Sequence, residues 1–244
     1  VTRFPTPLEQ QYGTGQSDLR RRLEVLERQI AQLTSGPVAV TSTTHPATPW
    51  AGMQIYETDT GLSAQWTGTA WQYPPQLITK RVLNASAASL TLSGIPQVFT
   101  HLQLVVSAKS DGTSVAGFDA ANLQLNGVAT ASYQWSTIWV TQGGAVSTTG
   151  ATAQTSSQFA EVWNAHFGTQ GRGIVTVEIP NYSDVNNVKG FTSSVSASDG
   201  GTAGITQFYT GALGSGSTAA VTSIKLLMGV GNFVADSTFS LYGR

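Results

Sequence analysis

Two rhythms of apolar residues run along this chain. Between Ser17 and Leu33 the apolar side chains recur as Leu19, Leu23, Leu26, Ile30 and Leu33, a spacing of 4, 3, 4, 3. That heptad pattern predicts a helix over 17–35, with Leu19, Leu26 and Leu33 at d and Leu23 and Ile30 at a. Ser17 reads as the N-cap, Asp18 suits the positive end of the helix dipole, and Ser35-Gly36-Pro37 stops the helix. The preceding segment carries Pro5, Pro7, Gly13 and Gly15 and predicts an extended arm over 1–16.

Beyond a Thr/Pro-rich linker over 36–51 the period becomes two. The stretch "GMQIYETDTGLSAQWTGTAWQYPP", within residues 52–75, gives three short strands around Gln54–Glu57, Leu62–Trp66 and Ala70–Tyr73, a small β-meander. From Leu77 to Arg244 the alternation continues, through Leu102, Leu104 and Val106, then Val175, Val177 and Ile179, then Ile224, Leu226 and Met228. Asn126-Gly127 reads as a tight hairpin turn. Eight to ten short strands separated by Gly/Ser/Thr turns predict a jelly-roll-like β-sandwich over 77–244. No 20–50-residue self-similarity argues for a β-helix or propeller. The expected fold is therefore mainly β: a short N-terminal coiled-coil helix, a small meander and a C-terminal sandwich.

Charge changes the picture of the helix. Twelve basic and thirteen acidic residues make 25 in all, only 10% of the chain, yet seven of them lie between Ser17 and Leu33. Arg20–Glu24 and Glu24–Arg28 fall at i,i+4, and Arg22 at g would face Glu27 at e of a parallel neighbour. The charges thus flank an apolar seam that sister copies cover, or else the seam packs on the chain's own β-domain. The a and d residues do not separate dimer from trimer.

A net charge of −1 leaves no basic footprint for nucleic acid. Absence of cysteine excludes disulfides, thiolate catalysis and Cys-based zinc sites. No run of about 18 apolar residues predicts a membrane insertion. The first fifteen residues lack an apolar leader core, so export by the general secretory route is not expected.

Chemistry is sparse. His45, His101 and His166 are scattered, and no H-E-x-x-H, G-x-S-x-G or Walker loop occurs. The expectation is a non-enzymatic protein without cofactor or metal. Asp111-Gly112 and the Asn181–Asn187 loop are oxygen-rich, but they read as Asx turns and not as an EF-hand. The strongest aromatic stretch is "SYQWSTIWVTQ". If extended, it sets Tyr133, Trp135 and Trp139 on one face and Ile138 and Val140 on the other. Flat rings stack on the C–H faces of sugars, which makes these three a candidate glycan platform. The competing reading is sandwich core or subunit interface.

The layout as a whole resembles small fibre or minor tail proteins of tailed bacteriophages that infect actinobacteria. The arm "TRFPTPLEQQYG", the meander from Tyr56 to Trp71 and the ending "FSLYGR" carry the resemblance. It implies a virion protein, trimeric, anchored to other virion proteins by its N-terminal region, with the β-domain outward and able to meet a host-surface glycan. A capsid-attached head fibre or decoration protein shares this design. A monomeric lectin-like module or glycan-degrading enzyme is the reading from a different class.

Overall fold

The computed structural model describes residues 9–115, 117–141, 143–167, 172–198, 204–214 and 218–244, with side chains described over 17–31 of the first helix. The chain divides into two compact units at Pro74–Pro75.

The first unit holds helix α1, Glu9–Ser35, and a small sheet of β1 (Val38–Val40), β2 (Gln54–Glu57), β3 (Leu62–Trp66) and β4 (Trp71–Gln72), ordered as numbered. Two expectations change here. The helix begins at Glu9, so residues 9–16 are not extended and Ser17 is not its N-cap. Glu and Gln are good helix formers, and a glycine costs only about 1 kcal/mol relative to alanine. A helix of 27 residues therefore tolerates Gly13 and Gly15. Residues 1–8 of the expected arm lie outside the described residues. Gly36, with φ +80°, then turns the chain out of the helix.

The second change is the linker, part of which joins the sheet. Val38–Val40 pair in parallel with Ile55–Glu57. Ser42 donates to Asp59 through its amide (2.9 Å) and its hydroxyl (2.7 Å). Three strands alone are marginal in water, and the linker supplies the fourth. Met53, Ile55, Leu62 and Ala64 form the buried apolar side of this unit.

Glu57 is buried at its centre, where its carboxylate accepts hydrogen bonds from Thr60 (2.6 Å) and Tyr73 and contacts His45 Nε2 (2.7 Å). Burial alone would raise this carboxyl, but the hydrogen bonds from Thr60, Tyr73 and His45 outweigh it and hold it below its ordinary 4.5.

The second unit has twelve strands among the described residues, more than the eight to ten expected. They are β5 (Gln76–Val82), β6 (Ser89–Ser93), β7 (His101–Ala108), β8 (Phe118–Leu125), β9 (Tyr133–Thr141), β10 (Val146–Gln154), β11 (Ser157–Trp163), β12 (Arg172–Pro180), β13 (Gly190–Ser198), β14 (Gly204–Leu213), β15 (Ser223–Met228) and β16 (Thr238–Gly243). Eight form one sheet in the order β10-β9-β14-β13-β12-β7-β16-β5, and four form a second in the order β11-β8-β15-β6. All pairings in both sheets are antiparallel.

The core follows from the alternation. Leu102, Leu104, Val106, Val175, Val177, Ile179, Phe239 and Leu241 of the large sheet are fully buried, as are Leu123, Ile224 and Leu226 of the small one. Asn126 and Gly127 have positive φ (53° and 67°), as a type I′ turn requires. The turn does not make the expected hairpin, because β8 and β9 lie in different sheets. The Asn126 side chain instead ties the turn to the start of β15, accepting from the amides of Thr222 (2.8 Å) and Ser223 (3.2 Å).

Strand β11 is an edge of the small sheet, yet both of its faces are buried. It packs against β9, β12, β13 and β14, so the large sheet wraps over this edge. Between them runs a polar chain. Gln158 Nε2 donates to Tyr209 Oη (3.2 Å), Tyr209 to Gln207 Oε1 (3.2 Å), and Gln207 Nε2 to Glu161 Oε2 (2.6 Å).

Burial pushes the Glu161 carboxyl above its ordinary value, and the amides of Gln207 and Gln158 only partly offset this. A carboxyl raised on folding contributes stability that is complete below about pH 4.5 and fades as pH rises through its folded pKa. Glu57 has the opposite sign, and its contribution is lost as pH falls through its lowered pKa. Two melting transitions followed from pH 7 to pH 4 should therefore move in opposite directions, the β-sandwich up and the small sheet down. Glu161→Gln should raise the sandwich transition at pH 7 and flatten its pH dependence. An unchanged slope in that variant would remove Glu161 as the cause.

Candidate functional surfaces

Helix α1 is an amphipathic rod of about 40 Å, from a rise of 1.5 Å per residue. Its seam residues Leu19, Leu23, Leu26 and Ile30 are 65%, 56%, 52% and 59% exposed. Val25 at c is also exposed, but it lies about 100° around the helix from Leu26 and off the seam. Arg22 and Glu27 are exposed at g and e. Leu33 lies in the helical backbone, but its side chain is outside the described residues. Continued backward, the same register puts Tyr12 at d and Gln16 at a, so the helical segment spans almost four heptads. Three to four heptads are what a coiled-coil assignment requires.

The aromatic face of β9 forms as the alternation predicts, but it points inward. Tyr133 is 1% exposed, and its hydroxyl accepts from the Leu125 amide (2.8 Å) and donates to the Val128 carbonyl (3.1 Å). Trp135 stands 6.2 Å, centroid to centroid, from the Tyr209 ring. Trp139 packs on the buried cluster of Trp163, Ala197 and Ile205. Tyr133 is thus a core residue, whereas Trp135 and Trp139 are half-buried, and Trp135 also lines a surface depression described below. Alternation groups residues by face without saying which face is dry.

The same alternation presents the opposite set of side chains to solvent. Strand registers arrange it as a grid across β12, β13, β14, β9 and β10. One rung reads Glu178, Thr192, Thr210, Ser136 and Gly150. The next reads Thr176, Ser194, Phe208, Ile138 and Thr148, and a third reads Ile174, Ser196, Thr206, Val140 and Val146. Phe208 is 56% exposed at the middle of this grid. Strands β9, β10, β13 and β14 contain no charged residue.

Two depressions flank Phe208 and Thr210. One, of about 550 Å³, is lined by Gln134, Trp135, Ser136, Thr152 and Thr210 over the backbone of Gly150 and Gly211. The other, of about 310 Å³, is lined by Thr176, Glu178, Thr192, Ser194, Phe208 and Thr210. Glu178 is held through Oε1 alone, by Gln103 Nε2 at 2.6 Å and more loosely by Arg244 at 3.7 Å. The one clue to this face in the sequence is the adjacent pair Phe208-Tyr209, since consecutive strand residues face opposite ways.

The oxygen-rich loops are internally bonded. Asp184 Oδ1 accepts from the Asn186 amide (2.7 Å), an Asx turn, and Asp111 accepts from the Asn232 amide (2.7 Å) and side chain (2.9 Å). The buried Lys189 ammonium donates to the carbonyls of Asp184, Asn187 (2.6 Å) and Thr218 (3.0 Å). No group of three or more metal-ligating side chains occurs among the described residues. No protein-family model and no curated protein matches the chain.

Proposed function

We propose that this chain is a non-enzymatic structural protein of a tailed-phage virion, a trimeric fibre or minor tail protein. Its N-terminal region anchors it to other virion proteins, helix α1 trimerises it as a parallel coiled coil, and the β-sandwich stands outward toward host-surface glycan. The observation that carries this reading is the exposed stripe of Leu19, Leu23, Leu26 and Ile30 on a helix of 27 residues. An apolar seam of that length, flanked by Arg22 and Glu27, calls for sister helices to cover it.

Strand order supports the outward domain. With β9, β10, β13 and β14 set aside, the sheets read β12-β7-β16-β5 and β11-β8-β15-β6. We read this order as that of an eight-stranded jelly roll, an architecture of viral capsid proteins and of lectins. The four extra strands are then two hairpin insertions that extend one sheet. The test is light scattering on the full chain, followed by locating it in intact particles by cryo-electron microscopy. A trimer found on the tail sustains the reading, density on the shell converts it to a head fibre or decoration protein, and a monomer at high concentration ends it.

A further inference from the structure

We infer that the outer face of the large sheet, centred on Phe208 and Thr210, binds a neutral saccharide. This rests on the adhesin side of the reading above and gives it a site.

The first argument is shape. Two depressions of about 550 and 310 Å³ share Thr210 as their common wall. Both volumes fall in the range of small-ligand sites, which begins near 300 Å³.

The second is chemistry. A sugar presents hydroxyls around its rim and C–H groups on its faces, so it needs hydrogen-bonding groups beside an exposed ring. Phe208 supplies the ring. Thr176, Thr192 and Ser194 supply hydroxyls around it, and Glu178 Oε2 has no hydrogen-bond partner among the described residues. On the other side of Thr210, Gln134, Ser136 and Thr152 add an amide and two hydroxyls. Ser136 and Thr210 share a hydrogen bond of 2.9 Å, which fixes the hydroxyls on the ridge between the two depressions.

The third is charge. Soluble surfaces carry about 25–35% charged residues, whereas β9, β10, β13 and β14 carry none. These four strands offer an acidic or sulfated glycan no cation, and at the β12 margin Arg244 faces Glu178 and Arg172 is bonded to the Asp236 carbonyl, so the face favours an uncharged sugar.

The test uses the full chain against an immobilised panel of neutral hexose and pentose oligosaccharides, with sialylated and sulfated oligosaccharides as charged controls. Wild type should retain at least one neutral oligosaccharide and none of the charged ones. Phe208→Ser and Thr210→Val should each weaken retention at least tenfold, with melting unchanged because both side chains are exposed. Ser194→Arg, which fills the smaller depression from an exposed position, should abolish it. Failure of wild type to bind any neutral member overturns the inference, as does undiminished binding by Phe208→Ser or Ser194→Arg.

Light scattering on the same samples separates this site from the fibre reading. If Phe208→Ser breaks the oligomer and spares sugar binding, the face is a contact between copies and the inference fails. A trimer that binds no sugar sinks the site and leaves the fibre. A monomer that binds sugar through Phe208 does the reverse.

Discussion

Replacing Leu23 and Leu26 together by aspartate should yield a folded monomer, where the proposed fibre reading expects a trimer of the wild-type chain. Both leucines are more than half exposed in the single chain, so their replacement removes nothing from its own core. In a three-helix seam each would be buried, and burying a leucine is worth about 2 kcal/mol. Losing two per chain removes about 4 kcal/mol per protomer, or about three orders of magnitude in association for each chain. The buried carboxylates add to the loss. Size-exclusion chromatography with light scattering reads the outcome directly, and thermal melting of the β-sandwich serves as the control. A double variant that keeps the wild-type mass would remove the helix from the assembly and leave the fibre reading without its main support. Arg22→Glu should give a weaker effect that diminishes with added salt, because a g–e′ pair is exposed and screened.

Lys189→Met should destabilise the β-sandwich by about 3 kcal/mol, because it leaves three carbonyls without their donor. For a domain of this size that lowers the melting temperature by on the order of 10 °C. The ammonium is buried and satisfies three carbonyls, from Asp184, Asn187 and Thr218. Methionine fills the space but leaves those part-buried carbonyls without their donor, and an acceptor orphaned away from water costs about 1–3 kcal/mol. Urea unfolding of the full chain, followed on the β-sandwich transition, measures the change. A loss below 1 kcal/mol would mean that water replaces the ammonium at the carbonyls and that the loop does not depend on it.

Much of the fold could be read from the chain because its apolar residues keep strict periods. The heptad of Leu19 to Leu33 marked the helix and its end at Gly36, and the alternation in β7, β12 and β15 marked buried strands. The helix start is not legible because the Gly13 and Gly15 signals are local, whereas the register continues through them to Tyr12. The linker's place in the small sheet was hidden because Val38–Val40 is too short to declare itself. Its partner strand and the Ser42–Asp59 contact lie beyond any local pattern.

The candidate site was half legible. Period two correctly put Tyr133, Trp135 and Trp139 together and Ile138 and Val140 opposite them. Which side faces water depends on β11 packing over β9 and β14, a tertiary fact with no local trace. Phe208 is not legible for the same reason, since Tyr209 beside it satisfies the expectation of an inward aromatic.

The pairing of β9 with β14 has a consequence for how the domain is made. These strands are joined along nine residue pairs from Tyr133–Leu213 to Thr141–Ile205, some seventy residues apart in the chain. Their two hairpins, β9–β10 and β13–β14, cannot complete the sheet extension separately. Each must wait, with an unsatisfied edge, until the intervening β11 and β12 have found their places. Closing so long a loop before any contact rewards it makes for slow, late assembly. A chain interrupted between these hairpins would carry its raw edge into solution, where its sister chains are the nearest strands to pair with.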